Sequence, residues 1–138
     1  MHSSPRPTPR PSHVTIVANN PETLDGLATY LGEAGVIVCG TRRIELCLEI
    51  VPPASSAVVF FPDDFPSSAL IAALAAMRRN RPTALVVLVT SAPRRFENLA
   101  RDGHPASLVL AKPAWGWTLL DAIRGRLDGG SSESETKR

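Results

Sequence analysis

Five short apolar runs punctuate the chain at regular intervals: His13 to Ala18, Val36 to Cys39, Ala57 to Phe61, Ala84 to Val89 and Ser107 to Ala111. Each is followed by a segment with helical spacing or a helix-opening signal. Several of the runs are apolar throughout, without the in–out alternation of a strand that has one wet face. A strand of that kind must be covered on both sides, which requires a parallel sheet between two layers of helices. The 43% apolar content supplies a core for one such domain over 138 residues.

The helical segments carry their own punctuation. Asn20 is a good N-cap and Pro21 suits the first helical position; Leu24, Leu27, Ala28 and Leu31 then recur on one face, and Gly35 is placed to stop the helix. Ile44 to Val51 reads as a short amphipathic helix closed by Pro52-Pro53. Asp63, Asp64, Pro66 and Ser67 form a loop, and Ser68 is placed to cap a helix from Ala69 to about Arg79. Arg94 to Arg101 reads as a polar helix. Thr118 to Leu127 is the last, with Leu119, Leu120 and Ile123 on its inner face. Residues 1–12 carry Pro5, Pro7, Pro9 and Pro11 and are expected to form a disordered arm. Residues 128–138, rich in Gly, Ser and Glu, form a disordered tail, leaving 13–127 as the domain.

Composition narrows the function. The net charge of +2 is too small to argue for nucleic acid or a membrane surface. The basic charge is almost all arginine, a bias that goes with a GC-rich genome. No apolar run is long enough to span a bilayer, and the first residues lack the apolar core of a signal peptide. Cys39 and Cys47 form no metal-type or redox-type spacing and read as small buried thiols, so a reducing cytoplasm is the expected location. His2, His13 and His104 are scattered, no glycine-rich phosphate loop follows any strand, and no serine sits on a nucleophile elbow. Neither a metal, a cofactor nor an enzymatic activity is expected.

In a parallel sheet of this type the functional crevice lies at the carboxyl ends of the strands. Those ends read Ala18-Asn19-Asn20, Pro62-Asp63-Asp64, Thr90-Ser91 and Lys112-Pro113. The chain here resembles the receiver domains of response regulators in two-component signalling. Val-Thr-Ile-Val-Ala-Asn-Asn-Pro resembles that family's first strand, Val-Val-Leu-Val-Thr-Ser its fourth with the hydroxyl at Thr90, and Leu-Val-Leu-Ala-Lys-Pro its fifth with the lysine at Lys112. The resemblance implies a flavodoxin-like five-stranded parallel sheet in the order 2-1-3-4-5, and a cis bond between Lys112 and Pro113.

The departures matter more. In such receivers two acidic residues after the first strand and an aspartate ending the third hold Mg²⁺, and that aspartate takes the phosphoryl group. The acidic pair falls on Ala18 and Asn19, and neither brings the negative charge a hard cation needs. Counting back from Phe65-Pro66, which resembles the family's Met-Pro pair, puts the acceptor position on Pro62, which has no nucleophile. A slip of one residue through a bulge would bring Asp63 in instead. Lys112 is then either a structural ammonium bonded to carbonyls, Asp63 or Asp64, or a group that binds a small anion together with Thr90, Ser91 and Asn19. The family's switch aromatic falls on Val109.

The expectation is therefore a phosphorylation-independent pseudo-receiver that binds a protein partner in bacterial signalling, with a homodimer as one form of that partnership. Its degenerate pocket comprises Ala18, Asn19, Pro62, Asp63, Thr90 and Lys112. Its binding face is Arg95, Leu99, Trp115 and Trp117, since two tryptophans on one loop rarely both bury and exposed Trp is a common interface anchor. An anion sensor using Asn19, Thr90 and Lys112, or a receiver phosphorylated at Asp63, are the alternatives. Two further surfaces stand out: the helix around Ala69–Met77, apolar nearly all round, and the arginines Arg78, Arg79, Arg81, Arg94 and Arg95, which read as a solvated face.

Overall fold

A computed structural model of the chain describes residues 13–52, 57–96, 108–113 and 115–125. The strands are β1 (His13–Val17), β2 (Ile37–Thr41), β3 (Ala57–Phe60), β4 (Leu85–Thr90) and β5 (Leu108–Ala111). They form one parallel sheet in the order β2-β1-β3-β4-β5, as the sequence resemblance implied. The helices are α1 (Pro21–Glu33), α2 (Cys47–Ile50), α3 (Ser67–Asn80) and α4 over residues 116–125. The arm, the tail, Leu99, His104 and most of the helix expected after Arg94 lie outside the described residues.

β3 and β4 are buried along their whole length, which is why their sequences are apolar at every position but Thr90, the last of β4. Side chains alternate between the two faces. Val14, Ile16 and Ala18 of the first strand segment, with Val59, Val87 and Val89, meet Leu27 and Leu31 of α1 and Leu119, Leu120 and Ile123 of α4. Val17, Val58, Phe60, Val86 and Leu88 meet Cys47, Leu70, Ala73 and Met77 on the opposite face.

α1 begins and ends on the residues its sequence marks. Asn20 Oδ1 accepts the backbone N–H groups of Glu22 (2.8 Å) and Thr23 (3.1 Å), and Pro21 opens the helix. At the far end Gly35 has φ +92°, Val36 N–H reaches Leu31 O at 3.0 Å and Gly35 N–H reaches Gly32 O at 3.1 Å. This is a left-handed helix stop that a β-carbon would strain.

Four expectations need correction. α3 starts at Ser67, directly after the extended Pro66, and no side chain caps it, so Ser68 is inside the helix. The stretch Ile44 to Val51 is a 3₁₀ turn (Ile44–Leu46) followed by one α turn, not a single helix. β2 is displaced toward Thr41 by comparison with the apolar run and lies at the sheet edge. Cys39 on that edge strand is exposed, whereas Cys47 is buried. Val38 packs against α1, and its neighbour Cys39 faces the other way.

Candidate functional site

Hydrogen-bond continuity at the top of the sheet brings the predicted strand ends together. Ala18 N–H donates to Thr41 O, Phe61 N–H to Val17 O and Lys112 N–H to Thr90 O. Lys112-Pro113 is cis, as the resemblance implied. Ala18 is fully buried and joins the apolar core.

Pro62 is buried and opens a 3₁₀ turn, Pro62–Asp64. That turn carries Asp63 back over the crevice. Thr90 Oγ1 donates to Asp63 Oδ1 at 2.7 Å; Ser91 N–H and Ser91 Oγ donate to Oδ2 at 2.8 and 3.0 Å. Lys112 Nζ stands 3.3 Å from the same Oδ2, with 34% of its side chain accessible against 24% for Asp63. Burial alone would push the Asp63 carboxyl up, but the Ser91 N–H, the hydroxyls of Thr90 and Ser91, and Lys112 together hold it well below the usual carboxylate range. Asp63 is therefore ionised, and both its oxygens are engaged.

The second carboxylate is engaged as well. Asp64 Oδ2 accepts the backbone N–H of Asn19 at 2.9 Å, and Asn19 O accepts Arg42 Nε at 2.8 Å. Asn19 thus enters the site through its backbone. Arg42, at the end of β2, was not singled out in the sequence; its position just after an edge strand that ends at the crevice is the signal that would have found it. Two carboxylates face two cations here, and the crevice is close to neutral. Among the described residues no three His, Cys, Asp or Glu side chains gather as a metal site would require.

The partner-face residues divide. Trp115 and Trp117 are 60% and 58% exposed. With Tyr30 of α1 they line a groove of about 650 Å³ that also includes Glu22, Lys112 and Pro113, with Phe61 and Val89 reaching it from the sheet. Gly116 is needed there, because a β-carbon would come within 2.7 Å of Tyr30 Cδ2. Arg95 does not line the groove; it is exposed on the turn Pro93–Phe96, its guanidinium 5.4 Å from the Phe96 ring centre. Leu99 lies outside the described residues. Val109 is half-buried and packs on the α3 face. Arg81 leaves the expected solvated face: Nε and Nη2 both donate to Val51 O, at 3.1 and 3.0 Å. Arg78 and Arg79 are exposed.

Comparison with solved structures agrees with this architecture. The chain is similar to the signal receiver domain of an HD domain-containing protein from Pseudomonas fluorescens Pf-5, at 20% identity and TM-score 0.74, covering 89% of this chain and 99% of that one. It is similar to a CheY-like response regulator receiver domain protein from Methanospirillum hungatei JF-1, at 21% identity and TM-score 0.71, covering 90% and 99%. A response regulator from Thermotoga maritima matches at 16% identity and TM-score 0.69, covering 86% and 99%. No family model and no curated protein matches the chain. The fold is that of receiver domains: five parallel strands in the order 2-1-3-4-5 with helices on both faces.

Proposed function

We propose that this chain is a pseudo-receiver, a non-enzymatic protein-interaction module of bacterial signalling that works in the cytoplasm without taking up a phosphoryl group. The observation that carries this reading is the seat of the Asp63 carboxylate on Thr90, Ser91 and Lys112. In the family the chain resembles, the hydroxyl and the lysine serve an incoming phosphoryl group. Here a permanent anion of the chain itself occupies them. Ala18 and Asn19 bring no charge, and Asp64 is tied to the Asn19 amide, so a magnesium ion would find few free oxygens. The output surface would be the exposed Trp115 and Trp117, with a protein partner docked on them.

The same placement favours one competing reading. Asp63 lies within reach of Thr90 and Lys112, as an acceptor aspartate would. Incubation with Mg²⁺ and acetyl phosphate followed by intact-mass measurement separates the two. An unchanged mass is expected; a stable phospho-adduct on Asp63 would overturn the pseudo-receiver reading. An anion sensor is less well supported, because Thr90 and Lys112 already hold an anion.

A further inference from the structure

The groove between α1 and the segment from Lys112 to Trp117, where α4 begins, has a composition that selects its occupant. Its exposed walls are Tyr30, Trp115 and Trp117, and Glu22 stands at one end. Flat aromatic walls with an adjacent carboxylate suit an extended, proline-rich segment that bears arginine, because prolines stack on the rings and enter already ordered. The chain contains one such segment. From Ser4 to Pro11 every residue of the sequence is a proline or precedes one, a pattern that favours extended backbone, and Arg6 and Arg10 fall within it.

We propose that residues 1–12 of this chain dock into this groove, with Arg6 at Glu22 and Arg10 at Glu33. The inference rests on the reading of Trp115 and Trp117 as a docking surface and names what covers it.

Direction and length both agree. The arm joins β1 at His13, which pairs with Ile37, just beyond the end of α1. It therefore leaves the sheet at the Glu33 end of that helix and would run toward Glu22. Glu22, Gly26, Tyr30 and Glu33 follow one another along a single stripe of α1, and both glutamates are exposed. The two glutamates are separated by about 16 Å along the helix. Arg6 and Arg10 are separated by about 12 Å in a polyproline helix, a difference that long side chains absorb. At that end of α1, Arg124 Nη2 donates to Ala34 O at 3.2 Å.

The test uses the full chain, whose two tryptophans both lie in the groove, so intrinsic emission and acrylamide quenching report on it directly. Arg6→Glu with Arg10→Glu, which alter no residue of the described core, should shift the emission to the red and raise quenching. Adding Glu22→Arg and Glu33→Arg to that variant should restore the wild-type spectrum. Unchanged emission and quenching on arm reversal would overturn the proposal, as would a response that the glutamate reversal does not undo. A red shift of wild type on dilution would assign the arm to a second copy and overturn the intrachain form. If these fail while partner capture still depends on Trp115 and Trp117, the docking surface stands and only its occupant is wrong; loss of that dependence removes the surface.

Discussion

Lys112 Nζ and Asp63 Oδ2 face each other at 3.3 Å across the carboxyl ends of β3 and β5, one directly before a cis peptide bond and the other on a 3₁₀ turn. The pair closes the crevice, and its titration should be visible in stability. The folded-state pKa of Asp63 is depressed, so its contribution is fully present above the unfolded value, about 3.9, and is lost as the pH falls below that. Thermal melts of wild type and Asp63→Asn should differ at neutral pH by about 1–3 kcal/mol and converge as the pH drops below about 4. A constant difference down to low pH would show that the charge is not what stabilises the site.

Trp115→Ala and Trp117→Ala should leave stability within about 1 kcal/mol of wild type, since both side chains are mostly exposed. Capture of the protein partner from the native host should fall sharply for at least one of them. Melting curves and quantitative co-purification measure the two effects separately.

Arg81 should resist replacement more than its neighbours. Its guanidinium holds Val51 O through two nitrogens and links the end of α3 to the segment after α2. Arg81→Ala should cost about 1–3 kcal/mol, and Arg81→Lys should recover only part because an ammonium lacks the planar fork. Arg78→Ala and Arg79→Ala, at exposed positions, serve as controls in the same denaturant titration.

Gly35→Ala should destabilise the domain by about 1 kcal/mol or more, because φ +92° is strained for any side chain although the space around it is open. Gly26→Ala, in the middle of α1 with no atom near its would-be β-carbon, should be neutral or stabilising. Urea unfolding of the two variants side by side distinguishes backbone strain from crowding.

The contrast between these positions explains what was legible in the sequence. The sheet was legible because β3 and β4 are buried on both faces and leave no polar residue before Thr90, at the very end of β4, to obscure the run. The cap at Asn20-Pro21 and the stop at Gly35 were legible because each is a local backbone requirement met by a particular residue type. The edge strand β2 was less so, since only one of its sides pairs and its exposed Cys39 carries no polar mark. The sequence leaves the seat of Asp63 between two readings, because a proline at Pro62 marks a turn without stating which way the next side chain will swing. Arg42 and Arg81 were hidden for a different reason: their partners, Asn19 O and Val51 O, are backbone carbonyls distant in sequence, and carbonyls have no sequence signature.

The short turn at Pro62–Asp64 has one more effect. It tethers an anion to the place where a dissolved one would otherwise bind, so phosphate or acetate in the cell competes with a group that never diffuses away. Under the proposed reading, changes in cellular metabolite levels would leave the crevice as it is, and variation in output would come from how much of the protein is made and what it meets.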